Sequence, residues 1–180
     1  VINIRTNADD PERLRAEASV DLLDATALVQ GRVGNEQRWG LTAAGRRSYI
    51  DAVLPIFTRD TGFTVQPYWW DYQFKIDDLK KDSGKFSVMF LGFGDKLNLG
   101  SPDDVAQGSD PDAQGDADVR YGAHRVIAQY NERLSKNLLV RVTPSAGLDT
   151  LGFGLGNSWK FSQRFWLYEL RADALWELND

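Results

Sequence analysis

Tyr68-Trp69-Trp70-Asp71-Tyr72-Gln73-Phe74-Lys75-Ile76-Asp77 is the stretch on which the fold turns. Taken two residues at a time, one side reads Tyr68, Trp70, Tyr72, Phe74, Ile76 and the other Trp69, Asp71, Gln73, Lys75, Asp77. Successive side chains of an extended strand leave opposite faces, so this is a strand with one apolar and one wetted face. Near the other end of the chain the pattern returns. Trp166, Tyr168, Leu170, Ala172, Ala174 and Trp176 alternate with Leu167, Glu169, Arg171 and Asp173, and aromatic residues close both ends of the apolar row. An apolar row flanked by aromatics is how a strand crosses a bilayer between its two interfaces.

Length selects the solvent. Globular strands run about 5–6 residues, whereas a strand crossing a membrane needs about 9–11. Alternation marks segments of the longer kind at 38–51, 67–77, 85–97, 120–133, 138–148 and 165–178, preceded by a first strand from about Arg13 and a second over 25–33. The connections are expected at 21–26, 34–37, 54–66, 78–84, 98–119 and 134–137, with an indistinct loop over 150–163. From the second turn onward short and long connections alternate, as in outer-membrane barrels with short periplasmic turns and long external loops. Helical periodicity of useful length is missing. Residues 11–18 imitate a helix start, yet the strand reading is preferred there. The expectation is all-β: an antiparallel up-and-down transmembrane β-barrel, with about eight strands forming part of a larger barrel.

Composition narrows the alternatives. The chain of 180 residues is 42% hydrophobic and carries Trp 6, Tyr 6 and Phe 9, with no apolar run near the ~20 residues of a membrane helix. Its net charge of −5 offers no bulk attraction to nucleic acid. Cysteine is absent, which removes disulfides and thiolate metal sites. The chain opens at Val1 without a leader pattern and stops at Asn179-Asp180 rather than on an aromatic, so a processed chain or part of a longer one is expected.

Three stretches carry a family resemblance. Val1-Ile2-Asn3-Ile4-Arg5-Thr6 resembles the closing strand of the plug in TonB-dependent outer-membrane receptors. Glu17-Ala18-Ser19-Val20-Asp21-Leu22-Leu23-Asp24-Ala25, continuing through Ala27-Leu28-Val29-Gln30-Gly31-Arg32-Val33, is similar to the first barrel hairpin of that family. Ala43-Ala44-Gly45-Arg46-Arg47-Ser48-Tyr49-Ile50-Asp51 resembles a run in the third strand of some members. The resemblance implies that residues 1–8 end the plug and 9–180 form the N-terminal part of the barrel. It also implies residence in the bacterial outer membrane, uptake of an unidentified ligand, and coupling to the TonB complex. The implied partners are the lipid bilayer and the remainder of the barrel and plug. A structural or partner-binding barrel component of a larger envelope complex stays open, as do a soluble lipocalin-like binding barrel and a closed eight-stranded membrane barrel.

Few residues invite chemistry. Asp110, Asp112, Gln114, Asp116 and Asp118, with Gly115 in sixth place, imitate the start of a calcium loop, but Tyr121 stands where the bidentate Glu belongs. The plainer account is an acidic external loop, and no cofactor or metal is required. Gly92-Phe93-Gly94 and Gly152-Phe153-Gly154-Leu155-Gly156 lack the Lys and the helix of a phosphate loop and suit curved barrel strands. His124 is the lone histidine and is placed on a strand near an interface, without partners for a metal site or a charge relay. Arg46, Arg47 and Asp51 are expected as lumenal ion pairs rather than ligand contacts. The paired carboxylates Asp103-Asp104 fall in a loop with no scaffold to fix them. Nothing supports catalysis, no ligand-binding residue is singled out, and no enzyme is expected.

Overall fold

The computed structural model describes residues 13–58, 64–79, 84–100, 117–156 and 159–177. Eight strands appear in chain order: β1 (Arg15–Val20), β2 (Asp24–Val33), β3 (Trp39–Ser48), β4 (Thr64–Asp78), β5 (Lys85–Gly100), β6 (Ala117–Ser135), β7 (Leu138–Leu155) and β8 (Trp159–Trp176). One short helix, α1 (Ile50–Thr58), follows β3. The strands form a single antiparallel sheet in which every strand pairs with its sequence neighbours, in the order β1 to β8. Hydrogen bonds do not close it, so β1 and β8 each keep one free edge. The all-β, up-and-down meander anticipated from the alternation is therefore the fold, in the form of an open arc. No helix among the described residues is long and apolar enough to cross a membrane, which says nothing about strands.

The turns divide into a lower end and an upper end. At the lower end, Gly34 enters the β2–β3 turn with φ 85°, a left-handed conformation that glycine adopts freely, and residues 136–137 link β6 to β7. At the upper end, the β1–β2 hairpin closes through 21–23, where the Asp21 carboxylate accepts the N–H groups of Leu23 (2.7 Å) and Asp24 (2.9 Å). This is the expected tight turn, held by a side chain that imitates a backbone turn.

Two boundaries correct the sequence reading. The strand expected over 38–51 stops at Ser48, because α1 begins at Ile50. The Ser48 hydroxyl accepts the Ile50 N–H (3.3 Å), and Asp51 puts a negative charge in the first helical turn, where the helix dipole favours it. The apolar residues that continued the alternation serve this helix, so a helix stands where none was anticipated. The indistinct loop over 150–163 is mostly strand: β7 runs on to Leu155 and β8 begins at Trp159. The 11–18 imitation of a helix is strand from Arg15 onward.

The sheet has no second layer among the described residues. Ala123 is the one buried apolar residue there, while Trp166, Tyr168, Leu170 and Trp176 are 66–76% exposed. Covering such side chains is worth about 1.5–3 kcal/mol each. A large driving force is thus left for whatever lies against the two faces and beyond the free edges.

Candidate functional site

The site is the wall itself, and its two faces follow from the register. Partners across each antiparallel pair point to the same side, so a row can be traced from strand to strand. One such row is Ala16, Val29, Ala43, Phe74, Phe90, Val126, Ala146, Tyr168, apolar in all eight strands. On the opposite face, one residue away, runs Arg15, Gln30, Thr42, Lys75, Met89, Ile127, Ser145, Glu169, which is mainly polar or charged. The first face is called outer and the second inner.

The outer face carries a belt rather than a patch. In β7 it runs from Leu138 through Val140, Val142, Pro144 and Ala146 to Leu148, and in β8 from Trp176 up to Trp166. Aromatics mark its lower edge at Trp39, Phe86, Tyr130 and Trp176 and its upper edge at Tyr68, Trp70, Tyr72 and Trp166. Ten residues from Trp166 to Trp176 cover about 33 Å along a strand, or about 25 Å in height at an inclination near 40°. Along the register the lower edge is level through Trp39, Phe86 and Tyr130 and drops at β8, while at the upper edge Tyr72 and Trp166 share one row. Trp39 lies in the row that reaches Ala172 in β8, four residues short of Trp176, and Tyr68 lies in the row of Ser162, four residues short of Trp166.

Ion pairs respect the same division. The inner face holds Arg46–Asp71 (2.7 Å), Lys75–Asp77 (2.9 Å), Arg125–Asp149 (2.6 Å) and Arg171–Asp173 (3.0 Å). Arg125 grips Asp149 with two nitrogens and lies flat across Gly147, whose missing side chain leaves the room. Among the described residues, outer-face carboxylates pair at or beyond the edges of the belt, as in Arg120–Asp118 (2.9 Å) above it and the forked contact of Arg38 on Asp78 (2.7 and 3.1 Å) at its lower edge. At the upper edge of the belt two polar side chains satisfy each other. The Tyr72 hydroxyl and His124 Nδ1 lie 2.7 Å apart, Trp70 stacks on Tyr72 at 5.8 Å, and Gly92 and Gly94 open the space these rings occupy.

Above the belt the polarity reverses on uninterrupted strands. The outer row there reads Tyr68, Lys96, Arg120, Gly152, Ser162, while the inner row reads Pro67, Leu97, Val119, Phe153, Phe161. Trp69, Phe93, Tyr121, Leu151, Phe165 and Trp159 extend this apolar lining on the inner side, and Phe93 meets Tyr121 at 5.5 Å. No bulge turns the strands over here, since the β7–β8 register runs unbroken from Leu138 to Leu155. This inner lining was missed in the sequence. Its signal is the alternation of Gly152, Phe153, Gly154 and Leu155, which suits a curved strand yet falls inside the stretch expected as an indistinct loop.

The residues singled out earlier are dispersed. Arg46 forms the expected inner-face ion pair. Arg47 does not: its parity sends it to the outer face, where its guanidinium lies 5.3 Å from the Tyr68 ring centre. Asp51 is not in a strand; it sits in α1 beside an outer-face groove of about 230 Å³ lined also by Gln66, Tyr68, Lys96 and Asn98. His124 is on β6 at the upper edge of the belt. The two glycine motifs lie in β5 and at the end of β7. Among the described residues no three His, Cys, Asp or Glu side chains come together to hold a metal. The plug-like start at residues 1–8, the pair Asp103-Asp104, and the acidic run from Asp110 to Asp116 lie outside the described residues. Asp118, the last of that run, is in β6 and pairs with Arg120.

No protein-family model matches the chain, nor does any curated protein or solved structure.

Proposed function

We propose that this chain forms part of the wall of an outer-membrane β-barrel, of the type used by TonB-dependent receptors to take up a ligand from outside. The carrying observation is the row of eight apolar residues, one per strand, set back to back with a polar row. A water-soluble sheet of one layer has no use for such a row. A bilayer covers it, while the inner ion pairs remain in a wet lumen. The aromatic edges fall about one hydrocarbon thickness apart, and strands of 15–19 residues from β4 to β8 reach well beyond the about 9–11 needed to cross. The free edges of β1 and β8 require further strands, because unpaired backbone is not tolerated in hydrocarbon.

Uptake, as distinct from mere membrane residence, is supported by the resemblance of the 1–51 region and by the apolar inner lining above the belt. At that height the inner face would form the mouth of the lumen, and aromatic side chains there would present flat surfaces to an incoming ligand. Site-directed spin labelling of the intact protein in lipid bilayers tests the wall, helped by the absence of competing cysteines. Labels at Val140 and Val142 should be accessible to oxygen and shielded from a water-soluble nickel chelate, with the reverse at Arg141 and Thr143. The opposite phase, or no period of two, would remove the membrane placement.

A further inference from the structure

Cations on the outer face of the sheet are confined to one zone. Arg47, Lys96, Arg120, Lys160 and Arg164 occupy the three rows from Trp70 upward, and the outer face of the eight strands holds no other Lys or Arg. The same rows contain a single carboxylate, Asp118, although the chain as a whole carries 21 basic against 26 acidic residues. Asp118 is taken by Arg120, and Asp51 contributes one more negative charge from α1 at the edge of the groove. Lys96, Lys160 and Arg164 have no carboxylate partner among the described residues, while Arg47 rests on Tyr68. Lys96 and Arg120 face each other directly across β5 and β6, roughly 5 Å apart at the backbone. Among the described residues, positive charge is thus concentrated along one strip of one face.

We infer that this strip binds the phosphate groups of anionic lipid headgroups in the leaflet at the upper end. The inference rests on the membrane reading given above, and charge complementarity carries it. The strip begins where the apolar belt ends, at the height of headgroups, and basic residues beside an anionic leaflet are attracted to it over about a Debye length. Arginine presents a fork that matches phosphate oxygens, and lysine adds a point charge. A lipid, unlike free phosphate, also lays its chains along the apolar rows directly below.

The test uses the intact protein in nanodiscs of phosphatidylcholine with and without phosphatidylglycerol, with retained lipid quantified after purification. Phosphatidylglycerol should be enriched around the wild type. Each cation near such a surface is worth about fivefold, so K96Q/K160Q/R164Q should lower the enrichment at least tenfold. K85Q/R133Q/R141Q removes the same charge from the inner face and should leave it unchanged. Equal enrichment in the outer variant, an equal loss in the inner one, or displacement of the lipid by inorganic phosphate would each overturn the inference. A spin label at Val142 in the same nanodiscs separates the two levels. If it stays oxygen-accessible while enrichment is absent, the headgroup site fails alone; if it does not, the membrane wall fails first.

Discussion

The lower and upper halves of β7 share a backbone geometry and differ in which face carries the apolar side chains. From Leu138 to Leu148 the even-numbered residues are apolar and the odd-numbered ones mainly polar; from Thr150 to Leu155 the odd ones are apolar and the even ones are Thr or Gly. The β7–β8 pairing does not shift between them. Alternation by itself therefore states only that a strand separates two environments. Which environment lies on which side is written in the phase, and a phase change without a bulge marks the height at which the surroundings exchange places.

The sharpest way to break this comparison is to place one charge at two heights on the same face. Val142→Arg in mid-belt should destabilise the protein by about 2–4 kcal/mol, and Thr150→Arg, eight residues higher, by about 0–1 kcal/mol. Reversible denaturant unfolding in lipid vesicles measures both, and equal penalties would erase the distinction between the halves. A smaller effect is expected from glycine replacements. A Cβ at Gly92 would stand 2.6 Å from His124 Nδ1 and 2.7 Å from the Tyr72 hydroxyl, whereas at Gly152 the nearest atom is an ordinary 3.6 Å away. Gly92→Val should cost about 1–3 kcal/mol through overpacking and disturb the near-ultraviolet signal of the Trp70–Tyr72 stack. Gly152→Val should leave both melting and spectrum near wild type.

The smallest effect concerns pH at the upper end. The Asp24 and Leu23 N–H groups hold the Asp21 carboxyl below its ordinary value. Because the folded value is lowered, the stabilisation is complete above the ordinary aspartate range and is lost as pH falls through the depressed value. Hydrogen exchange at the Leu23 and Asp24 amides should accelerate on acidification in the wild type, beyond the intrinsic trend. In Asp21→Asn that additional dependence should vanish; its persistence would assign the acid sensitivity elsewhere.

The legible part of the fold was the part where hydrophobicity and parity agree. Tyr68 to Asp77 and Trp166 to Trp176 declare their strands because each keeps one kind of side chain on one side throughout. Asp21 and Leu22-Leu23 declared the first hairpin by interrupting the parity. The stretches 150–155 and 159–163 were hidden because glycine on the outer side carries no hydropathy and the apolar residues had changed sides, which together resemble a loop. Helix α1 was hidden because Ile50, Ala52 and Leu54 satisfy a period of two as readily as the start of a short helix. Arg47 and Asp51 were misplaced for a related reason: charge alone suggested a lumen, whereas register sends Arg47 outward and the helix removes Asp51 from the strand. The inner aromatic lining is an assembly of residues from five strands, and only the pairing registers bring Trp69, Phe93, Tyr121, Phe153 and Phe161 to one surface.

The lower aromatic edge is level where it crosses β3, β5 and β6 and steps down at β8. Trp39, Phe86 and Tyr130 share one register row, whereas Trp176 stands four residues, about 13 Å, below it. A strand that pairs with the free edge of β8 meets an apolar row that ends at the height of Trp176 and not of Tyr130. The step at β8 is therefore a gauge of register for whatever pairs there.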